Sequence, residues 1–396
     1  MLEVIQAAPP DAILGLTEAF RKDSNPNKIN LSVGVYQDET GTTPILESVQ
    51  QAGRQVVANQ QSKSYLPIDG APAYAAAVQR LIFGHESEVV TAGRAATSHT
   101  PGGTGALRVA ADFIKQNLPA ATVWLSEPTW PNHPNIFAAA GVPTRSFPYF
   151  DSTTQGLAFD QACKAIGEIP EGDVILLHGC CHNPTGIDPT ADQWSQLAEV
   201  VSERGLLPLL DFAYQGFAEG LQEDAAGLQK FCQPGSELLI CSSFSKNFGL
   251  YRERVGALTV VVPGDEVLGR VQSQIKRCIR SNYSNPPAHG AALVTTILED
   301  SKLTDQWHGE VASMRDRINE TRKALVKTLA AKGATADYSF MTRQRGMFSF
   351  SGLTAEQVDT LREKYSIYIV RSGRINVAGI TPKNIEPLCE AIAEVT

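Results

Sequence analysis

Lys246 is the residue whose surroundings point most directly to chemistry. It follows the apolar run Leu238–Cys241 and a serine-rich segment, where the chain must leave a buried strand. Burial lowers the pKa of a lysine amine and frees it as a nucleophile. Such an amine condenses with an aldehyde to a Schiff base, the form in which pyridoxal-phosphate (PLP) enzymes hold their cofactor. The Ser-x-Ser-Lys pattern is weak by itself, so the rest of the chain must support it.

Asp211 follows the mostly apolar run Leu206–Leu210, so we expect its carboxylate to be nearly buried. A buried carboxylate needs a cationic partner, because its pKa otherwise rises. The protonated ring nitrogen of PLP is such a partner, and the ion pair would keep the ring an electron sink. A salt bridge to an arginine is the alternative. Tyr214, three residues further on, can reach the same ring.

A glycine-rich segment, TPGGTGAL (100–107), precedes a helix that we predict over 108–115. The glycines allow backbone N–H groups to close on an oxyanion, and the helix dipole favours its binding there. The segment lacks the third glycine of a dinucleotide fingerprint and the Gly-Lys of a P-loop, which favours a phosphate monoester. A plain glycine-rich turn is the alternative. Arg254, eight residues after Lys246, offers a planar fork to the same phosphate.

Two further side chains follow predicted strands. Asn183 precedes a proline, which favours extended backbone and allows a cis peptide bond. Its amide can donate to a ring oxygen of PLP, and a plain turn residue is the alternative. Trp130 follows the predicted strand Thr122–Leu125, and its indole can stack on a cofactor ring. Packing in a proline-rich loop is the alternative there.

Two arginines are candidates for reading carboxylates on a substrate. Arg374 opens an otherwise apolar strand, where a surface charge is poorly accommodated, so it is the favoured carboxylate clamp. Arg280 lies in a loop that we predict between two helices. A solvated surface charge is the alternative for both.

These residues need a scaffold, and the chain between about 95 and 262 alternates strand-like with helix-like segments. The strand-like segments are short and apolar on both faces, as parallel strands covered by helices are. The candidates are Thr122–Leu125, Thr144–Phe147, Val174–Leu177, Leu206–Leu210, Leu238–Cys241 and Ala257–Val262. A capping box at Thr190 and Gln193 opens one of the helices. The pattern predicts an open, mostly parallel sheet of the α/β class.

The pattern changes after residue 301. Apolar residues at helical spacing predict one long amphipathic helix over about 302–332: Leu303, Trp307, Val311, Met314, Ile318, Leu325 and Leu329. Three strands are then predicted, at Gly346–Phe350, Ile367–Val370 and Arg374–Val377. Thr354 caps a further helix, and Thr381-Pro382 is expected to open the last one. This stretch is typical of a separate α+β layer.

Composition narrows the class of protein. The 396 residues are 43% hydrophobic and 19% charged, as in a globular enzyme large enough for two domains. The net charge of −8 argues against a nucleic-acid partner. No run approaches 18 apolar residues and the N-terminus lacks a basic-then-apolar signal, so neither a membrane span nor export is expected.

Cysteine and histidine usage bears on redox state and metals. Seven cysteines, an odd number, fit reduced thiols in the cytoplasm. His178 and His182 are four residues apart, but Asn183-Pro184 follows at once and prevents a helix from presenting both. We therefore predict no metal site.

Taken together, the motifs closely resemble the class I (fold-type I) PLP-dependent aminotransferases of the aspartate and aromatic amino acid group. The resemblance runs from about residue 5 to the C-terminus. Its motifs are VGVYQDETG (33–41), TPGGTGALRVAADF (100–113), HGCCHNPTG (178–186), DFAYQGF (211–217), SFSKNFGLYRERVG (243–256), NYSNPPAHGA (282–291) and GMFSFSGL (346–353).

The resemblance implies a mostly parallel mixed sheet flanked by helices in a large PLP-binding domain, plus a smaller α+β domain built from both chain ends. The implied boundaries are an N-terminal arm over 1–12, a small domain over 13–43 and 313–396, and a large domain over 44–312. It also implies a homodimer with shared active sites, acting on small amino acids and 2-oxo acids, with no nucleic-acid or membrane partner.

The resemblance further assigns the cofactor contacts. Lys246 corresponds to the Schiff-base lysine, which also shuttles the proton between the substrate Cα and the cofactor. Asp211 corresponds to the partner of the ring nitrogen, with His178 behind it. Asn183 and Tyr214 correspond to donors to the 3′-oxygen, and Trp130 to the stacking ring. The implied phosphate cup is Gly103, Thr104, Ser243 and Arg254, together with Tyr65 reaching over from the partner subunit.

The implied substrate contacts come from both domains. Arg374 corresponds to the clamp for the α-carboxylate, and Arg280, again reaching over from the partner subunit, to the arginine that holds a distal carboxylate. Gly34 corresponds to a small-domain loop that closes over the substrate. Trp130 and Asn183 also face the substrate in this family.

The choice between aspartate and aromatic substrates rests on a few motifs. IRSNYSNPPAHG, HGCCHNPTG, LDFAYQG and GRINVAG resemble the aspartate-preferring bacterial branch, and Val35, Thr43, Thr104 and Asn285 agree. SYLPIDG and QRGMFSF are closer to the aromatic branch, and Ser64 and Gln37 fall outside the aspartate pattern. We predict transfer from aspartate to 2-oxoglutarate with some aromatic side activity; preference for tyrosine or phenylalanine is the alternative.

Two rivals belong to other classes. One is a PLP enzyme of the same fold that decarboxylates, eliminates or cyclises, and the presence of both Arg280 and Arg374 argues against it. The other is a PLP-binding regulator without turnover, which would need a DNA-binding segment that neither chain end supplies.

Overall fold

The computed structural model describes residues 1–7 and 14–396. The chain divides into two units, Pro44–Asp316 on the one hand and Met1–Thr43 with Arg317–Thr396 on the other. Of the predicted N-terminal arm, residues 8–12 lie outside the described residues. Within the described ranges, no helix combines the length and the apolar character needed to cross a bilayer.

A seven-stranded sheet forms the centre of the unit Pro44–Asp316. Its order, from one edge, is Ala95–Pro101, Val255–Val261, Leu238–Ser243, Leu207–Phe212, Val174–His178, Val123–Glu127 and Thr144–Pro148. The last five strands are mutually parallel, and Val255–Val261 is antiparallel to both of its neighbours. The predicted mostly parallel mixed sheet is therefore confirmed.

Six of the seven strands were predicted, each to within about two residues. The strand Ala95–Pro101 was missed, because its sequence AATSHTP carries small and polar residues rather than an apolar run. Most of these polar side chains are nevertheless buried, since helices cover this edge of the sheet: Pro72–Phe83 and Gly102–Asn117 both pack against it.

Helices cover the sheet because each of them has an apolar face to bury. Those of this unit are Glu47–Asn59, Pro72–Phe83, Glu88–Thr91, Gly102–Asn117, Asn132–Ala139, Phe159–Ile166, Ala191–Glu203, Ala226–Gln229, Asp265–Asn282 and Ala288–Glu299, with a 3-10 turn at Glu223–Ala225. Two short strands, Phe150–Asp151 and Gly156–Leu157, form a hairpin. The capping box at Thr190 and Gln193 is confirmed. The helix predicted over 108–115 begins earlier, at Gly102, directly after the strand that ends at Pro101.

The predicted long helix is confirmed as Ser301–Ala331 and contains the boundary between the two units. All seven apolar residues that predicted it are buried, which explains why its spacing was informative. Trp307 in this helix stacks on Phe248 with ring centres 4.2 Å apart, and its indole donates to the Asn247 carbonyl at 2.8 Å. The segment that carries Lys246 is thereby held from behind.

The second unit has small paired strands and short helices around its own core. Ile29–Asn30 pairs in parallel with Ile367–Tyr368, and Phe348–Phe350 pairs antiparallel with Arg374–Asn376. The helices are Leu14–Lys22, Ala355–Tyr365 and Ile385–Val395, with 3-10 turns at Leu2–Val4, Ser339–Arg343 and Val377–Gly379. Leu325, Leu361, Ile375, Ile380 and Leu388 are among its fully buried residues. The cap at Thr354 is confirmed as a capping box with Gln357.

The predicted start of the last helix is wrong. The helix begins at Ile385 rather than at Thr381-Pro382. The side chain of Asn384 accepts a hydrogen bond from the Thr381 backbone N–H at 2.7 Å, which closes a turn ahead of the helix. Local side-chain bonding of this kind competes with helix formation.

Candidate active site

The carboxyl ends of three neighbouring parallel strands carry the polar side chains from which the site is built. Strand register places His178 opposite Asp211 and Asp211 opposite Cys241. Lys246 follows three residues after the strand Leu238–Ser243. Because carboxyl ends of parallel strands meet at one edge, the fold brings these residues together.

Lys246 is held close to Tyr214. Its Nζ lies 4.6 Å from the centre of the Tyr214 ring. Burial lowers the pKa of the lysine to about 8; the charge of Asp211 opposes this effect and that of Arg254 adds to it. An amine with such a pKa is still mostly protonated near neutral pH, but its neutral fraction is far larger than that of an ordinary lysine, and the neutral form is the nucleophile or general base.

Asp211 is almost fully buried and is paired with His133. His133 Nε2 lies 2.9 Å from Asp211 Oδ2. Burial acts to raise the pKa of Asp211, but the His133 hydrogen bond, together with smaller electrostatic contributions from neighbours that include Lys246, outweighs it, so the net shift is downwards. The site therefore maintains a buried carboxylate in its ionised form, as a partner for a cationic ring nitrogen requires.

A hydrogen-bonded chain continues behind this pair. Thr129 Oγ1 lies 2.8 Å from His133 Nδ1 and 3.2 Å from His178 Nε2. Burial lowers the pKa of His178 to about 3, so this ring is neutral. The sequence placed His178 behind Asp211; in the structure Thr129 and His133 lie between them in the chain of hydrogen bonds.

His133 is the residue that sequence reasoning missed. It opens the helix Asn132–Ala139, three residues after Trp130, and is fully buried. The available signal was its place directly after a parallel strand, Val123–Glu127, next to the strand that ends at His178. The Trp130 and His133 rings pack edge to face with centres 5.2 Å apart, which ties the candidate stacking ring to the Asp211 pair.

A cradle for an anion lies where the helix Gly102–Asn117 begins. A Cβ on Gly102 would come within 2.5 Å of Arg254 Nη2, and one on Gly103 within 3.0 Å of Ser243 Cβ. Arg254 Nη1 also donates to Ser245 Oγ at 3.3 Å. Thr104 belongs to the first turn of the same helix, whose backbone N–H groups and dipole favour a phosphate. Ser245 had not been singled out in the sequence.

Asn183 lies beside His178. Its peptide bond to Pro184 is cis, and its backbone N–H donates to His178 Nδ1 at 3.4 Å. The side chain is 5% exposed. The structure thus brings Asn183, Asp211, Tyr214 and Lys246 into one connected set with Trp130 and the anion cradle.

The remaining predicted site residues lie elsewhere in the chain. Tyr65 is 90% exposed. The prediction that Arg280 lies in a loop is wrong, because it is exposed in the last turn of the helix Asp265–Asn282, where it donates to Ser284. Gly34 and Arg374 belong to the second unit. There, Arg374 donates to the Ser32 carbonyl at 2.6 Å and its guanidinium lies 4.0 Å from the Phe348 ring centre. A Cβ on Gly34 would come within 2.5 Å of the same ring, so the small residue allows a close approach.

A possible metal-ligand cluster lies nearby but is already engaged. One ligand atom from each of Cys180, Cys181 and Asp224 lies within 4.8 Å of the others. The Asp224 carboxylate accepts backbone N–H bonds from four residues, Gly216, Ala218, Glu219 and Gly220. We read this carboxylate as the organiser of the loop after Tyr214 rather than as a metal ligand.

The model of the family "Aminotransferase class I and II" matches residues 26–392. The chain belongs to this family. The lysine, the ionised aspartate and the anion cradle described above are the kind of site that a transaminase requires.

Individual aminotransferases are similar over the full chain. The aspartate aminotransferase of Salmonella typhi is 54% identical over 395 residues, covering 100% of both chains. The aromatic-amino-acid aminotransferase of Pseudomonas aeruginosa is 46% identical, covering 99% of this chain and 98% of its own. A crystal structure of the aromatic-amino-acid aminotransferase from Burkholderia pseudomallei, covalently bound to pyridoxal phosphate, has a TM-score of 0.97 at 46% identity and covers 100% of this chain and 99% of its own.

Proposed function

We propose that this aminotransferase reversibly transfers the amino group of L-aspartate to 2-oxoglutarate, with PLP as its cofactor. The observation that carries the proposal is the pairing, at one edge of the sheet, of a lysine whose pKa is lowered to about 8 with a buried, ionised Asp211. The 54% identity to the Salmonella typhi aspartate aminotransferase supports the choice of substrate.

The donor set fits PLP. A phosphate monoester suits the cradle of Gly103, Thr104, Ser243 and Arg254, where backbone N–H groups and a guanidinium converge. A Cβ at Gly102 would take up space beside the Arg254 guanidinium, so glycine there keeps the backbone open to an anion that this guanidinium would bind. When bound, PLP supplies an aldehyde that condenses with amines and a ring that withdraws electrons from the substrate Cα.

The protein residues then have distinct tasks. Asp211, held ionised by His133, would keep a proton on the ring nitrogen of the bound cofactor. Lys246 Nζ would hold the cofactor and would carry the proton that leaves the substrate Cα. Tyr214 and Asn183 would donate to the 3′-oxygen, and the Trp130 indole would cover one ring face. Each task calls for the residue type found at that position.

Substrate carboxylates are read by two arginines. Arg374 binds the α-carboxylate as a bidentate fork, and its stack on Phe348 pre-orients the guanidinium. Arg280 of a neighbouring subunit binds the distal carboxylate of aspartate or 2-oxoglutarate. Gly34, Trp130 and Asn183 are the remaining substrate contacts that the family resemblance implies.

The protein acts as a homodimer in the cytoplasm. Three large hydrophobic side chains of this unit are exposed: Tyr65 at 90%, Val57 at 70% and Ile45 at 67%. Their exposure supports a surface that another subunit covers. Tyr65 then contacts the cofactor phosphate of the neighbour. Seven free thiols support a reducing compartment.

The test is a comparison of kcat/KM for aspartate and phenylalanine, each with 2-oxoglutarate. Phenylalanine leaves the guanidinium of Arg280 without a partner, and an unpaired buried polar group costs about 1–3 kcal/mol or more if charged. We expect aspartate to be preferred by roughly tenfold to a few hundredfold. In Arg280→Leu the preference should collapse, through a sharp loss for aspartate and none for phenylalanine.

A second candidate is preference for tyrosine or phenylalanine. It is favoured by the 46% identity to an aromatic-amino-acid aminotransferase and by Ser64 next to Tyr65, because a small residue there would leave room for a ring. The same measurement decides between the two, because a wild-type preference for an aromatic substrate would replace the aspartate assignment.

A further inference from the structure

Asp69 lies in a turn four residues after Tyr65, and its side chain reaches a helix that is distant in sequence. Oδ2 accepts a hydrogen bond from Gln272 Nε2 at 3.1 Å and forms an ion pair with Lys276 Nζ at 2.9 Å. Both partners belong to the helix Asp265–Asn282. The Asp69 side chain is 18% exposed, so this pair is partly shielded from water.

The backbone of the same turn is fixed to the sheet. The Asp69 carbonyl accepts from the His99 backbone N–H at 2.9 Å, and the Gly70 N–H donates to the Pro67 carbonyl at 2.9 Å. Gly70 has φ +93°, and a Cβ there would come within 2.6 Å of His99 Cβ. The turn therefore rests directly on the strand Ala95–Pro101 and accepts only glycine at its tip.

The C-terminal end of the helix Asp265–Asn282 is bonded to His99, the same strand residue that holds the turn. Tyr283, which caps the helix just after Arg280, donates its hydroxyl to the His99 carbonyl at 3.1 Å. His99 is thus bonded through its N–H to the Tyr65 segment and through its carbonyl to the Arg280 segment. It stands three residues before Gly102, where the anion cradle begins.

The Asp69 side chain adds a second link between the turn and the helix, besides the one through His99. Lys276 is four residues before Arg280, one helical turn away, and Asp69 is four residues after Tyr65. Tyr65 lies in a stretch with neither helix nor strand, so the turn at Asp69 is what anchors it on the C-terminal side. Loss of the Asp69–Lys276 pair would leave the Tyr65 segment and the Arg280 helix coupled only through the backbone of His99 and would loosen their relative position.

We propose that Asp69 is a positioning residue for Tyr65 and Arg280. This inference rests on the proposed function, which gives both side chains to the active site of a neighbouring subunit. Asp69 touches neither substrate nor cofactor; it fixes the separation of the two groups that do. Binding of a distal carboxylate and of the cofactor phosphate then depends on Asp69, whereas turnover of a substrate without a distal carboxylate, measured at saturating PLP, does not.

The experiment uses full-length holoenzyme with Asp69→Asn, Lys276→Gln and the double variant. Glu266→Gln is the matched control, because it breaks an exposed ion pair with Arg270 on the same helix. We expect each single variant to raise KM for aspartate roughly threefold to tenfold, and to raise the dissociation constant for PLP release similarly. The kcat for phenylalanine should stay within about twofold. The double variant should be no worse than the poorer single, because both remove one interaction.

Values for Asp69→Asn that match those for Glu266→Gln would overturn the proposal, as would additive effects in the double variant. Arg280→Leu measured alongside separates the two levels of the argument. If Arg280→Leu loses the aspartate preference while Asp69→Asn keeps both KM and PLP affinity, the positioning role fails and the proposed function stands. If Arg280→Leu keeps the preference, the role of Arg280 fails, and that of Asp69 fails with it.

Discussion

His99 makes a specific contribution to the pH dependence of folding. The ring is fully buried against Tyr74, with ring centres 4.7 Å apart, and neither ring nitrogen has a hydrogen-bond partner in the part of the chain that the structure describes. Burial lowers the pKa of His99 from 6.5 to about 4. Between these two pH values the unfolded chain holds a proton that the folded protein does not.

The sign and size of the effect follow. A group whose folded pKa is lowered destabilises the fold as pH drops below its unfolded pKa, and the loss is complete at the folded pKa. The cost is about 1.4 kcal/mol for each pH unit, so between about pH 7 and pH 5 this ring alone removes roughly 2 kcal/mol. Below about pH 4 both states are protonated and the loss no longer grows.

The variant His99→Gln tests this, because glutamine is polar but does not titrate. The measurement is the free energy of urea unfolding at the two pH values, in wild type and variant. Any constant cost of the buried amide cancels when the two pH values are subtracted. The control is His85→Gln, at an exposed histidine, which should leave the pH difference as in wild type.

We expect the stability lost between the two pH values to be smaller by about 2 kcal/mol in His99→Gln. The buried rings of His178 and His182, whose pKa values burial also lowers, remain in both proteins and do not affect the comparison. An identical pH dependence in wild type and His99→Gln would refute the reasoning.

Three further predictions concern the reaction. Lys246→Ala should abolish steady-state transamination while PLP still binds through the phosphate cradle, measured by equilibrium dialysis; retained turnover would remove the lysine from its role. Asp211→Ala should weaken PLP binding by about 1.5–3 kcal/mol, and lower kcat by more, because the charge-assisted contact matters most in the transition state; near-normal turnover would make Asp211 a structural partner of His133. Mixing inactive Lys246→Ala with Arg280→Ala protein should restore aspartate turnover in hybrid dimers that have one intact site, and no recovery despite confirmed subunit exchange would contradict the shared site.

The sequence was sufficient for most of the central sheet because its inner strands are apolar on both faces. Periodicity identified every strand that has a continuous apolar run, from Val123–Glu127 to Val255–Val261. It could not identify Ala95–Pro101, whose burial comes from the helices that cover it rather than from its own composition. The prediction for the start of the last helix was wrong because the Asn384 side chain closes a turn ahead of the helix, and helix propensity does not describe such a side-chain bond.

The site residues also differ in how far the sequence alone could identify them. Asp211 directly follows an apolar run, and Lys246 follows one after a short serine-rich segment. Both could be recognised from the sequence because a charged side chain near a buried strand is costly unless it has a partner or a function. His133 was not conspicuous, since its contact with Asp211 depends on the packing of two different strand ends and a helix start. Long-range side-chain pairs of this kind require the tertiary structure.

The reversed direction of one strand has a consequence for how this site can be altered. Because Val255–Val261 runs against Leu238–Ser243, the chain turns back at the edge where it has just emerged. If the two strands were parallel, the chain would first have to cross to the opposite ends of the strands, about 20 Å away for a six-residue strand, before the next strand could begin. The proposed nucleophile and the proposed phosphate-binding guanidinium are instead encoded in one short peptide, residues 244–254. This peptide should tolerate insertions poorly, and it is the part of the chain that would have to be transplanted intact into any redesigned scaffold.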